Sequence, residues 1–153
     1  MRGIRLHPNY HGYTLKDPIA VELLTLAAKR GLVVQIAMAM EDERTQHPLM
    51  RVPPVDPAPI ANLIQAVPGL KLMLLNSSRF MPGVYTDFAM IESPYAVSRA
   101  ISAAGADRVV FGSYAPFFYH DAALLKLKEA GLETGRAGAI TEGNARRMLG
   151  GAG

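Results

Sequence analysis

Cysteine is absent from the 153 residues of this chain. The protein therefore forms no disulfides, and it has neither thiolate nucleophiles nor cysteine-ligated zinc or iron–sulfur sites. Long apolar runs are absent too, since none approaches the ~20 residues of a membrane span. The N-terminal segment MRGIRLHPNY has no hydrophobic signal-peptide region. These absences predict a cytoplasmic protein with no membrane partner.

A strong excess of one charge is also missing. The chain has 16 basic and 13 acidic residues, a formal net charge of +3, and its basic residues are scattered. No nucleic-acid partner is therefore expected. Half of the residues are hydrophobic, which is typical of a folded domain with a real core. We predict a single α/β domain over residues 1–149 and a frayed tail at residues 150–153.

The hydrophobic pattern alternates between short buried runs and amphipathic stretches, which predicts strands and helices in βα order. This order favours parallel strand pairing with right-handed crossovers. The predicted strands are Gly3–Leu6, Leu32–Met40, Leu70–Leu75, Val84–Ile91 and Arg108–Phe111. The predicted helices are Pro18–Arg30, Asp56–Val67, Pro94–Ala104, Asp121–Ala130 and Ile140–Leu149.

Two architectures satisfy this pattern, an open doubly wound sheet and a (β/α)8 barrel. An open sheet usually carries a glycine-rich phosphate loop after its first strand, whereas here the first strand is followed by HPNYHGY. A barrel needs eight strands. If the chain folds as a barrel, its five predicted strands are the C-terminal part of one.

Each predicted strand is followed by polar residues, which parallel strands would place along one rim. Loops are polar in any protein because they face water, so a plain surface role is the alternative for each residue. The residues are His7 and His11, then Glu41 to Arg44, then Asn76 to Arg79, then Glu92 and Ser93, and finally Ser113 and Tyr114. His7 and His11 are four residues apart, but Pro8 and Gly12 argue against a helix that would join them.

Four segments together resemble the amidohydrolase-related family, the metal-dependent TIM-barrel hydrolases that also include non-oxidative decarboxylases. GIRLHPNYHGY resembles the family's fourth strand and loop, and AAKRGLVVQIAM its fifth strand with the preceding helix. DRVVFGSYAPF resembles the eighth strand, and GNARRML the closing helix. The resemblance covers almost the whole chain and implies a partial TIM barrel, about strands 4–8 with their helices.

The resemblance also implies a divalent metal such as zinc. The family's fifth and sixth strands normally end in metal-binding histidines, and its eighth strand carries an aspartate that binds metal and takes a proton from water. These positions fall on or near Ala37, on or near Asn76, and on Tyr114. Alanine has no donor atom, while asparagine and neutral tyrosine are weak zinc ligands. We therefore predict no metal ligands and no cofactor in this chain.

Three hypotheses about function follow. The first is an amidohydrolase-type hydrolase that acts on a small, anionic molecule with a degenerate metal site. It assigns catalysis to His7, His11 and Tyr114 and substrate binding to Arg44, Asn76, Arg79 and Ser113. The second is a catalytically inactive binding or regulatory barrel. The third is an incomplete piece of a larger hydrolase, whose open sheet edges are closed by a homodimer or by a missing N-terminal half.

Overall fold

The computed structural model describes residues 1–150 of the chain. Most of the predicted frayed tail, residues 151–153, therefore lies outside the described residues. The chain divides into two compact units, Met1–Met73 and Leu74–Gly153. Four strands form one sheet in the order β1-β2-β3-β4. None of the helices within residues 1–150 is long and apolar enough to cross a membrane.

The first unit starts with a parallel strand pair. Strand β1 (Gly3–Leu6) pairs with β2 (Val33–Ala37), and the register runs from Gly3 opposite Val33 to Leu6 opposite Ile36. Helix α2 (Pro18–Lys29) connects the two strands and packs against β2. Helix α3 (Ile60–Ala66) follows, and β3 (Lys71–Leu75) begins in this unit. The α/β class with parallel strands is confirmed.

A short helix, α1 (Pro8–His11), follows β1 directly. The prediction that Pro8 and Gly12 argue against a helix here was wrong. Proline is tolerated at the first helical position, where its missing N–H has no partner to lose. Gly12 ends the helix in the left-handed conformation, with φ of 72°, and donates its N–H to the Pro8 carbonyl.

The segment from 38 to 59 contains no strand and no α-helix. The predicted second strand therefore ends three residues early, at Ala37, and the predicted second helix begins four residues late, at Ile60. Polar side chains and backbone groups organise the segment. The side-chain amide of Gln46 donates to the Val52 carbonyl at 3.0 Å and accepts the Val52 N–H at 2.9 Å. It therefore satisfies both backbone groups of Val52, as a neighbouring strand would.

The second unit contains the end of β3, the short β4 (Tyr85–Thr86) and five helical segments. The predicted fifth strand is reduced to one parallel bridge between Thr86 and Val109. Its two hydrogen bonds are Thr86 N–H to Arg108 O and Val110 N–H to Thr86 O, both 2.9 Å. The helical segments are α4 (Ala96–Ala104), α5 (His120–Glu129), α6 (Thr134–Gly138), a π-helical turn (Ala139–Gly143) and α7 (Asn144–Met148). Helix α6 was not predicted.

The core of the second unit joins the bridge segment to helix α4 and the π-helical turn. Phe88, Val97, Val109 and Ile140 are fully buried in this cluster. The side chain of Asn144 is fully buried as well. Its amide donates to the carbonyls of Ala106 at 2.8 Å and Val109 at 2.6 Å. The asparagine of the GNARRML segment therefore fixes the C-terminal helix to the backbone of the bridge strand.

Candidate functional site

A narrow cleft, with too little space for a bound water molecule, lies in the first unit where β1 and β2 end. Carboxyl ends of parallel strands are the usual place for active sites in α/β proteins. The two strands and the following segment contribute imidazole, amide, phenol and thioether groups to this cleft. Its lining residues are His7, Asn9, Tyr10, Ala37, Met38, Ala39, Met40, Val52, Pro53 and Val55.

His7 is half-buried in this cleft, and its ring is oriented by a sulfur atom. Nδ1 of His7 lies 3.1 Å from Sδ of Met40. A thioether has no proton to donate, so the contact is a hydrogen bond only if Nδ1 carries the proton and the sulfur accepts it. In the neutral imidazole this tautomer leaves the lone pair on Nε2. His7 therefore presents a basic nitrogen.

The pKa of His7 is lowered from its ordinary value of 6.5, first by burial, then by the positive charge of Arg5 and by His11. All three disfavour the charged imidazolium form. At neutral pH His7 is therefore an uncharged base.

His11 belongs to the same cluster. Its ring centroid lies 6.1 Å from that of His7 in an edge-to-face arrangement. The ring also stacks on Tyr13 at 6.5 Å and meets the edge of Tyr10 at 5.2 Å. Helix α1 brings the two histidines together, and sequence reasoning missed that helix.

The segment at residues 53–55, which forms one wall of the cleft, is held to helix α1 by hydrogen bonds. The side-chain amide of Asn9 donates to the carbonyls of Pro53 at 2.8 Å and Pro54 at 2.7 Å. One residue further on, the Val55 N–H donates to the Met38 carbonyl at 2.8 Å. Ordered loops of this length in compact domains usually have a function. The wall is therefore held in a defined position relative to His7.

Arg44, a predicted substrate-binding residue, lies in this segment and is engaged by Asp42. Its Nε donates to both carboxylate oxygens of Asp42 at 2.9 Å, and its Nη2 donates to Oδ2. This side-chain pairing, together with the Arg44 backbone N–H, lowers the pKa of Asp42 to about 2. The carboxylate of Asp42 therefore offsets part of the charge of Arg44, which stays a predicted substrate-binding residue.

In the second unit, two predicted binding residues follow β3. Asn76 is buried and adopts a left-handed conformation with φ of 55°. Arg79 is exposed, and its backbone N–H donates to Oγ of Ser77 at 3.1 Å. The guanidinium of Arg79 therefore faces solvent at the end of the strand.

Asp87 is a buried carboxylate that sequence reasoning missed. Its Oδ1 accepts the backbone N–H of Asn76 at 3.1 Å and of Ala89 at 3.4 Å. The side chain also lies against Gly112, where an added Cβ would be 2.6 Å from Asp87 Cβ. The available signal was an acidic residue inside the apolar run VYTDFAM, because acids are rarely fully buried without a partner.

Ser113 and Tyr114 follow the bridge strand. Oγ of Ser113 accepts the Ala115 N–H at 3.4 Å. Tyr114 has a left-handed φ of 53°, and its ring stacks on Phe117 with centroids 5.1 Å apart. The predicted site residues thus form two groups. His7, His11 and Arg44 lie in the first unit, and the other four lie in the second, where Asp87 contacts Asn76 and Gly112.

The metal implied by the family resemblance requires a set of donors. No three histidine, aspartate or glutamate side chains within residues 1–150 lie close enough together to hold a metal ion. Ala37 is buried and offers no donor atom, while Asn76 and Tyr114 offer only an amide and a phenol. These three positions therefore offer no imidazole or carboxylate ligand.

Comparison with known proteins gives a family and a fold. A family model described as amidohydrolase matches residues 1–151, whereas no curated protein matches the chain. Among solved structures, the apo form of IDCase from Metarhizium anisopliae shares 18% identity, with a TM-score of 0.68 over 97% of this chain and 56% of that one.

Two further structures have similar folds. 5-Carboxyvanillate decarboxylase from Sphingomonas paucimobilis has 12% identity and a TM-score of 0.74, over 99% of this chain and 59% of that one. 2,6-Dihydroxybenzoate decarboxylase from Rhizobium has 14% identity and a TM-score of 0.70, over 98% and 62%. The chain thus spans about three fifths of the length of these structures. The predicted partial TIM barrel is confirmed.

Proposed function

Because the chain belongs to the amidohydrolase family, we propose that it provides part of the active site of a hydrolase that acts on a small anionic molecule. His7 is the general base, and the positions of Ala37, Asn76 and Tyr114 supply no metal ligands. The observation that supports this role most directly is the 3.1 Å contact between Nδ1 of His7 and Sδ of Met40. It leaves the lone pair of the neutral imidazole on Nε2.

In the proposed reaction, Nε2 of His7 accepts a proton from a water molecule as the water attacks the scissile carbonyl. The proton then passes to the leaving group, so the imidazole returns to its neutral form. A lowered pKa keeps His7 unprotonated at neutral pH, which suits a base. Within the first unit, His11 remains a candidate for a second proton-transfer group. The roles predicted for Tyr114, Ser113 and Asn76 stay predictions for the second unit.

Decarboxylation is the second candidate reaction. The similarity to structures described as 5-carboxyvanillate and 2,6-dihydroxybenzoate decarboxylases favours it. Loss of carbon dioxide leaves a carbanion, which needs a proton donor. Because burial and Arg5 disfavour protonation of His7, His7 suits activation of water better than protonation of carbon. Hydrolysis is therefore the first candidate.

The test is a product assay on the full chain with aromatic carboxylic acids and with esters and amides that carry a carboxylate. Released carbon dioxide, alcohol and amine are measured separately, with and without a chelator. We expect alcohol or amine release that the chelator does not abolish, and a rate that rises with pH through a value below 6.5. His7→Gln should lower kcat/KM about 100-fold or more, while His47→Gln, at an exposed position, should not.

The other outcomes are equally informative. Carbon dioxide as the only product would replace hydrolysis by decarboxylation. Saturable binding of the acids without any product would support the inactive binding barrel. Activity that depends strictly on added zinc or manganese would contradict the degenerate metal site, and a fully active His7→Gln variant would exclude His7 as the base.

A further inference from the structure

Arg5 lies on the same side of strand β1 as His7. Side chains alternate between the two faces of a strand, so residues two apart share a face. The positive charge of Arg5 is, after burial, one of the causes that lower the pKa of His7. Arg5 therefore lies two residues before the proposed base along the chain.

This face of the sheet also carries Ala37, which lines the cleft together with His7. On the opposite face of β2, Val34 and Ile36 are completely buried, whereas Gln35 is only partly buried and Arg5 is exposed. Helix α2 packs against β2, and a partial TIM barrel carries its helices on the outside. Arg5 and Gln35 therefore lie on the inner face of the barrel wall.

A row of side chains holds the guanidinium in place. The register sets Arg5 directly opposite Gln35, and Nε of Arg5 donates to Oε1 of Gln35 at 2.9 Å. The other end of the Gln35 amide donates to Sδ of Met73 at 3.4 Å. Gln35 is thereby oriented from both sides, so it presents its oxygen to Arg5.

The terminal nitrogens of Arg5 remain available to an anion. Within residues 1–150 no carboxylate forms an ion pair with Arg5, and its only side-chain hydrogen bond is the one from Nε. Two terminal guanidinium nitrogens form a planar fork that matches a carboxylate.

We infer that Arg5, positioned by Gln35, binds the carboxylate group of the substrate on the inner barrel wall beneath His7. The inference rests on the proposed function, which it deepens by naming the anion ligand. It adds Arg5 to the predicted anion ligands, among which Arg44 already pairs with Asp42. Arg5 would bind a carboxylate side chain of a polypeptide that covers this face in the same way. The experiment distinguishes such a side chain from the carboxylate of a small substrate.

The test is an NMR titration of the full chain with sodium benzoate, which follows the Nε–H signal of Arg5 and the pKa of His7. We expect benzoate to shift the Arg5 signal and to raise the pKa of His7, because the anion offsets the charge of Arg5. Arg5→Gln should raise the pKa of His7 without benzoate and weaken benzoate binding about 10- to 100-fold. The benzoate affinity of Arg5→Lys should lie between those of the wild type and Arg5→Gln, since lysine keeps the positive charge but lacks the two parallel guanidinium donors.

Arg30→Gln is the matched control, because it removes the same charge at an exposed position at the end of helix α2. It should leave both the affinity and the pKa of His7 unchanged. If Arg5→Gln does not fold, benzoate binding by Arg5→Lys and by the wild type still tests whether Arg5 binds the carboxylate. Benzoate binding that is absent, or that Arg5→Gln leaves at wild-type strength, would overturn the inference.

Sedimentation provides the second arm. If Arg5 pairs with a carboxylate of a second copy, Arg5→Gln should lower self-association and benzoate should compete with it, which would also overturn the inference. Failure here is distinguishable from failure of the proposed function, because binding is measured without turnover. A hydrolase dependent on His7 but indifferent to Arg5 would leave the proposed function intact.

Discussion

Replacement of Asn144 by alanine tests how the C-terminal helix is attached to the second unit. Asn144 is completely buried, and its amide donates to the carbonyls of Ala106 and Val109. Its Oδ1 accepts a hydrogen bond from Nη2 of Arg147. One side chain therefore links the start of helix α7 to two backbone carbonyls, one in the bridge residue Val109 and one three residues before it.

The expected cost follows from these contacts. A net hydrogen bond contributes about 1 kcal/mol, and a buried carbonyl that loses its donor costs about 1–3 kcal/mol. The environment of the Val109 bond is buried and that of the Ala106 bond partly buried. We therefore expect Asn144→Ala to lower the free energy of unfolding by about 2–4 kcal/mol, a large fraction of the ~5–15 kcal/mol of a typical domain.

Urea denaturation monitored by circular dichroism measures this change, and hydrogen exchange locates it. The Phe111 amide, which donates to the Ile140 carbonyl at 2.9 Å, should lose protection with the helix. Asn62→Ala is the control, because Asn62 is exposed on helix α3; it should change stability by less than about 0.5 kcal/mol. A similarly small effect of Asn144→Ala would refute the assigned role.

Three further predictions concern the two groups of candidate residues. Gly112→Ala should destabilise the second unit by about 1–3 kcal/mol in urea, because the new Cβ lies 2.6 Å from Asp87 Cβ, while Gly135→Ala, with open space around it, should not. Met40→Leu removes the acceptor for Nδ1 of His7, so ¹⁵N shifts should show a mixture of imidazole tautomers instead of one. The pKa of His7 is lower in the folded chain than its ordinary value of 6.5, so His7 takes up a proton more readily in the unfolded chain. The free energy of unfolding should therefore fall as the pH is lowered from 7.5 to 5.5, and His7→Gln should make this decrease smaller.

Element types were predictable from sequence where the local signals agreed with the tertiary structure. Strand β1 and helix α2 begin where predicted, since Pro18 suits a first turn and Gly31 follows the helix. The fourth and fifth strands were overestimated, because buried apolar residues such as Phe88 and Val110 continue the pattern after regular pairing has ended. Apolar periodicity reports burial, and it cannot by itself show where a ladder stops.

The candidate site was less predictable because its decisive contacts join residues far apart in sequence. His7 was selected from its place at a strand end, but its tautomer depends on Met40, 33 residues away. Arg44 and Arg79 were selected as loop cations, yet the first is held by its neighbour Asp42. Arg5 was not considered, since a strand interior is ordinarily apolar, and only the register with Gln35 shows the face it occupies.

The row formed by Arg5 and Gln35 departs from the rule that governs barrel interiors. Such interiors are filled by layers of branched apolar side chains, whereas Arg5 is an exposed cation and Gln35 is a partly buried amide. Elsewhere in the same strand pair the rule is obeyed, as Val33 and Ala37 on the same face are buried. A local departure with no compensating carboxylate among the described residues is where function is expected, and it lies beside His7, whose protonation is disfavoured by burial and by the charge of Arg5.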